Sequence, residues 1–252
     1  MARFEQYIGI DYPMTKTFPA KRIAQLRKRI GDTAPLPDDC PEGWSKSRFD
    51  PMTILAVFKP LQIKEDLVLR AYQYQGDRDG NGVVWAMSSE AEFPDPNDCP
   101  RLEGVFLQPP KSPTALDNVM DAIDGDGSPW SYLCASILAR ELAEFGAMWH
   151  GCNWGTHAVL GANPWNRAAG KEDSDTGRPT GPVSEWIWAE RPPKGWSPRG
   201  VETHNTVVVT FFTFSGLGQE ALYRHTDTYR PGSYRFEMEK TQIATGPGGY
   251  VF

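Results

Sequence analysis

The stretch Gly76-Asp77-Arg78-Asp79-Gly80-Asn81-Gly82-Val83-Val84-Trp85 has two readings, and they lead to different folds. As a calcium loop, Asp77, Asp79 and Asn81 stand at positions 1, 3 and 5 of the EF-hand pattern, with Gly82 at the sharp-turn position. Ca²⁺ takes that spacing because alternate side-chain oxygens converge as the backbone coils. Position 12, where a bidentate Glu belongs, holds Ser88, and the nearest acid is Glu90. No amphipathic helix leads in, and Val83 to Met87 is a continuous apolar run of strand type. The hairpin reading asks less. Asp-Gly and Asn-Gly supply the positive φ angles that tight turns between strands need. We take the turn as the reading that sets the fold and keep Asp77, Asp79 and Asn81 as candidate Ca²⁺ ligands.

Working outward from that hairpin, Ile54 to Phe58, Asp66 to Tyr74 and Val83 to Met87 read as strands. Tyr7 to Asp11 reads as a short buried strand ending in a carboxylate. Pro19 to Ile30 has Pro near its start and Ile23, Leu26 and Ile30 on one face, which predicts a helix. The clearest element is Ser128 to Trp149. Ser128 can cap it, Pro129 suits its first turn, and Trp130, Leu133, Cys134, Ile137, Leu138, Leu142, Phe145 and Trp149 form an apolar stripe ending at Gly151. Further on, Ser184 to Ala189, Asn205 to Phe214 and Glu220 to Tyr229 read as strands, the last two joined at Gly216-Leu217-Gly218. Tyr234, Phe236 and Met238 alternate with Arg235, Glu237 and Glu239, the pattern of a half-buried strand. The expectation is an α+β fold: a mainly antiparallel sheet packed against one long helix (about 128–149) and a shorter N-terminal helix. A single domain over 1–252 follows, with Pro/Gly-rich loops at 31–50, 88–113 and 161–183. Pro37-Asp38-Asp39-Cys40-Pro41 and Pro96-Asn97-Asp98-Cys99-Pro100 echo each other, but five residues are explained as well by similar loop chemistry.

Composition narrows the function. Apolar residues make up 40% and charged residues 23%, so the chain can build a core and is not of the disordered class. A net charge of −6 opposes binding to nucleic-acid backbones. No apolar run approaches the ~20 residues needed to span a bilayer, and the first residues lack the apolar region of an export signal. A cytoplasmic protein without a membrane partner is expected, with Cys40, Cys99, Cys134 and Cys152 as free thiols.

Three constellations carry candidate chemistry. In His150-Gly151-Cys152-Asn153-Trp154-Gly155-Thr156-His157, two of the four His flank a Cys. His150, Cys152 and His157 are candidate Zn²⁺ ligands, completed by His204 or His225, or a Cys–His nucleophile pair. The plainer reading sets His150 against a helix C-terminus, where a cationic ring is favoured. The second constellation is aromatic: Trp154, Trp165, Trp186, Trp188 and Trp196 lie among polar and Pro-rich residues, and such rings can anchor a partner. The third is His225 and Asp227, two apart on one strand face, a general-base arrangement. No Gly-x-Ser-x-Gly, phosphate loop or dinucleotide fingerprint is present. The leading functional expectation is a non-catalytic binding or complex-forming module that uses its Trp-bearing loops, with a protein partner or self-association. The alternatives are a metal-dependent hydrolase at the His/Cys site and a Ca²⁺-stabilised carbohydrate-binding protein.

Overall fold

Two antiparallel sheets pack against one largely buried helix, residues Pro129–Ala143. The computed structural model describes residues 13–33, 41–76, 79–166 and 179–251. The elements run β1 (Met14–Thr17), α1 (Ala20–Thr33), β2 (Gly43–Lys46), α2 (Met52–Val57), β3 (Leu61–Ile63), β4 (Leu67–Gln75), β5 (Gly80–Ser88) and β6 (Ile123–Gly125). After these come α3 (Pro129–Ala143), β7 (Ala158–Val159), β8 (Ile187–Trp188), β9 (Arg199–Glu202), β10 (Val207–Ser215), β11 (Ala221–Tyr229) and β12 (Phe236–Thr245). A seven-stranded sheet has the order β1-β9-β10-β11-β12-β8, with β7 also on β10. A three-stranded sheet is β2-β4-β5, and β3 pairs with β6.

Alternation explains the large sheet. Along β10, Val207, Val209, Phe211, Thr213 and Ser215 share one face by strand period, and Phe212 and Phe214 point the other way. Val207, Val209 and Phe211 join the main core with α3, whereas Phe212 and Phe214 join a second core on the far side. Both faces of β10 are therefore covered, which is why its sequence is nearly continuously apolar.

α3 starts as its sequence indicates. Ser128 Oγ accepts the Ser131 N–H at 3.2 Å, and Pro129 occupies the first turn. Ser131 to Leu138 are buried without interruption, because α3 packs on β9 and β10 and also on β5. It ends at Ala143, short of the expected Trp149. Gly146 adopts φ +67°, the left-handed stop of a helix. With 15 residues against 14 in α1, α3 is one of two comparable helices rather than a single long one.

The segment expected as a strand at Ile54 to Phe58 is the helix α2. Asp50 Oδ1 accepts the Met52 N–H at 2.9 Å and Pro51 sits in helical geometry, so an N-terminus forms ahead of the apolar run. Ile54 and Phe58, four apart, are then both buried on one face. Ser184 to Ala189 also differs: a 3₁₀ turn at Val183–Glu185 precedes a two-residue strand. The strand expected at Tyr7 to Asp11 lies outside the described residues.

The opening stretch forms a hairpin. Gln75 pairs with Gly80 and the Gly76 N–H donates to Asp79 O at 2.9 Å, while Asp77 and Arg78 lie outside the described residues. Its glycines answer to a different requirement from turn geometry alone. A Cβ on Gly82 would stand 2.4 Å from Phe145 O, and one on Gly80 2.9 Å from Gly146 O. β5 presses its backbone against the turn that follows α3, and the Met148 N–H donates to Gly80 O at 2.8 Å.

Candidate functional site

The inner face of the large sheet changes from apolar to polar toward the Ser215 end of β10. On β11 the inward residues are Tyr229, Asp227, His225 and Tyr223, paired in register with Val207, Val209, Phe211 and Thr213. On β12, Met238 stands opposite Asp227 and Lys240 opposite His225. Three neighbouring strands, β10, β11 and β12, thus bring Thr213, His225 and Lys240 together.

His157 comes from the loop before β7, and three elements pin that loop. Glu144, just past α3, accepts the N–H groups of Asn153 at 2.5 Å and Gly155 at 2.6 Å, and that of Trp154. Arg27 of α1 donates to Trp154 O at 2.9 Å and to His157 O, and pairs with Glu141 at 2.8 Å. Glu141 Oε1 also accepts the Trp154 indole N–H at 2.8 Å. The Arg27 guanidinium lies 4.5 Å from the Trp154 ring centroid. Buried charge is satisfied here by backbone amides and by close partners, as it must be away from water.

The polar row then reads as follows. His157 Nδ1 lies 2.7 Å from Thr213 Oγ1, and the same hydroxyl lies 2.9 Å from His225 Nε2. The two rings are 5.9 Å apart, with His225 stacked on Phe211 at 4.6 Å. At the outer end, His157 Nε2 is 3.3 Å from both Asn153 Oδ1 and Lys240 Nζ. At the inner end, Arg140 of α3 donates to both oxygens of Asp227 at 2.7 and 2.9 Å, and Asp227 is wholly buried. His225 Nδ1 is buried without a hydrogen-bond partner.

Burial sets the protonation states. It pushes His157 down to about 3, with Lys240, Arg27 and Arg140 adding repulsion. It pushes His225 down to about 2, again helped by Arg140. Both rings are therefore neutral at pH 7, each with one donor and one acceptor nitrogen. Lys240 is lowered, first by burial and then by Arg140, and Glu144 offsets this. Glu144 is raised by burial, against the lowering effect of the Gly155 and Asn153 amides.

One hydroxyl proton serving two ring nitrogens gives two complementary arrangements. In the first, His157 Nε2–H donates to Asn153, Thr213 donates to His157 Nδ1, and His225 Nε2–H donates to Thr213. In the second, Lys240 donates to His157 Nε2, His157 donates to Thr213, and Thr213 donates to His225. Both arrangements carry the same net charge and differ in the tautomer of each ring, the second placing the His225 proton on Nδ1, which has no hydrogen-bond partner.

The candidate residues read from the sequence fall at separate places. His150 Nδ1 is 2.9 Å from Asp79 Oδ1 on the exposed hairpin side, and Cys152 Sγ points to Ala147 O at 3.5 Å. His157 belongs to the row above, so the three candidate Zn²⁺ ligands each have their own partners. His204 is exposed in the turn between β9 and β10. Asn81 Oδ1 accepts the Gly82 N–H, and Asp77 is outside the described residues. Among the described residues no group of three or more His, Cys, Asp or Glu stands close enough to hold a metal ion. Cys99, Cys134 and Cys152 are free thiols, and burial pushes Cys134 up to about 12.

The Trp rings are largely internal. Trp154 is 7% exposed beside His157 and His225. Trp186 and Trp196 are buried with Phe212, Phe214 and Leu222, and Trp165 and Trp188 pack on that second core half-buried. The loop-borne Trp196 folds back onto Phe212, with ring centroids 5.4 Å apart. Next to Trp188, Ile187 is 75% exposed on the last strand of the sheet.

Sequence reasoning named His157, His225 and Asp227 but not Thr213, Arg140, Asn153, Tyr223 or Lys240. One signal was available for Lys240: it falls in phase with Phe236 and Met238, a cation placed on the apolar face of its strand. Compared with protein-family models, curated proteins and solved structures, the chain matches none. No helix among the described residues is long and apolar enough to cross a membrane.

Proposed function

We propose that the protein is a ligand-binding protein that takes a small carboxylate- or phosphate-bearing molecule at the Lys240 end of the polar row. One observation carries this reading. Arg27 and Arg140 are each paired with a carboxylate, whereas Lys240 forms no ion pair among the described residues. Lys240 is exposed as a whole residue, yet its ammonium end lies 4.2 Å from the Tyr223 ring centroid and beside a neutral imidazole, where burial lowers its pKa. A partly desolvated cation without a counter-ion gains by meeting an anion. Asn153 and the Tyr223 hydroxyl, which burial keeps protonated, supply donors nearby. Calorimetry of the full chain with acetate and with inorganic phosphate tests it. Lys240→Arg should retain binding of whichever probe binds, and Lys240→Met should weaken it by about 10-fold or more at unchanged melting temperature. Equal affinity in Lys240→Met, or no heat from either probe with the wild-type chain, would defeat the reading.

A second reading rests on the shared Thr213 hydroxyl. The two proton arrangements of the row suit acid–base work on a bound molecule, the hydrolase alternative without a metal. Turnover of p-nitrophenyl acetate that disappears in His157→Gln, with anion binding kept, would support it. Its absence from the wild-type chain leaves binding as the sole role of the row.

A further inference from the structure

A cavity of about 430 Å³ lies where α1 and α2 meet the start of α3. Its rim carries Arg22, Arg29 and Lys59, and its walls include Leu26 and Trp130. Arg22, Leu26 and Arg29 recur at i, i+4 and i+7 on α1, so one helix face supplies two cations with an apolar residue between them. Arg27, which serves the polar row, leaves the same helix by another face.

The charge balance of this cavity runs against that of the chain. The whole protein carries −6, yet the rim has three cations and one carboxylate, Asp126. Asp126 is already engaged by the Ser128 N–H at 2.9 Å. None of Arg22, Arg29 and Lys59 forms an ion pair among the described residues. The Arg22 guanidinium lies 3.7 Å from the Trp130 ring centroid, a contact that holds both groups in place. Cations gathered over an apolar floor raise the local concentration of anions, and the volume falls within the range of small-molecule sites.

We infer that this cavity is a binding site for an aromatic anion, a ring bearing a carboxylate, sulfonate or phosphate group. The ring lies on Leu26 and Pro60 beside the Arg22–Trp130 pair, and the acid group meets Arg29 and Lys59. This site is independent of the Lys240 site and does not rest on that reading.

Anilinonaphthalene sulfonate is the probe, read by its fluorescence, with uncharged phenylnaphthylamine as control. The expected result is one-to-one binding of the sulfonate that weakens as salt is raised and exceeds that of the control. Arg29→Glu with Lys59→Glu should weaken it by about 10-fold or more, since reversal turns attraction into repulsion. Both residues are exposed, so the melting temperature should hold. The neutral pair Arg29→Gln with Lys59→Gln gives a smaller loss in the same direction and serves if the reversal unfolds the chain. Lys240→Met should leave the dye bound, which separates this site from the first. Equal binding of the uncharged control, unchanged affinity in both double variants, or loss only in Lys240→Met would each overturn the proposal.

Discussion

His157 Nδ1 lies 2.7 Å from Thr213 Oγ1, its one hydrogen-bond partner among the described residues. Because the same hydroxyl also serves His225 Nε2, Thr213→Val strips two buried ring nitrogens at nearly constant volume. Each buried polar group left unpaired costs about 1–3 kcal/mol, so a loss of that order or somewhat more is expected. Thr213→Ser keeps the hydroxyl and should lose far less. Urea unfolding of both variants checks this, and equal midpoints would show that the hydroxyl does not hold the two rings.

The neutral rings make stability fall with acid. His157 is lowered from 6.5 to about 3 and His225 to about 2, so between those values and 6.5 the unfolded chain binds protons that the folded chain refuses. Stability then rises with pH across that window and is lost on acidification below about pH 6.5. From pH 7 to pH 5 the loss is about 2 kcal/mol per ring. Glu144 works in the opposite sense: its raised carboxyl adds stability as pH falls through the region above its usual 4.5. A series of urea midpoints from pH 7.5 to 5 reads the slope, which His157→Gln or His225→Gln should each flatten.

How much of this was legible in the residues depends on whether local chemistry or long-range packing decided each part. The β10–β11 hairpin follows from alternation and Gly216-Leu217-Gly218, and the start of α3 from Ser128 and Pro129. The end of α3 was not legible. Phe145 and Trp149 continue its apolar phase, but Gly146 turns left-handed where β5 backbone presses against Phe145. The row was half legible. His157 and His225 stand out by residue type, yet they meet only because Glu144 and Arg27 fix the turn before β7. Thr213 and Lys240 look like ordinary strand residues until the register β10–β11–β12 aligns them.

Arg140 and Asp227 join α3 to β11 with two hydrogen bonds inside the core. Asp227→Ala leaves the Arg140 guanidinium without its carboxylate, and removal of one member of a buried pair costs about 3–5 kcal/mol. Arg140→Met with Asp227→Leu removes both charges and should recover most of that loss. Thermal melts of the single and double variants decide the matter, and a double variant as unstable as the single would mean that packing around Arg140, not charge, holds the helix to the sheet.

Trp196 tests what the loop-borne rings do. A ring serving only as an exposed anchor would leave stability nearly unchanged when truncated. Trp196 is 7% exposed and packs on Phe212, so Trp196→Ala should open a cavity in the second core at a cost of about 3–5 kcal/mol. Trp165 is half-buried between Trp186 and Trp188, and Trp165→Ala should cost less because water can reach the space it vacates. Melting temperatures that drop in the order Trp196→Ala, then Trp165→Ala, place the rings among the forces that hold the far face of the sheet. Unchanged melting in Trp196→Ala would free that ring for a partner and return the Trp-bearing loops to the surface role expected from their sequence.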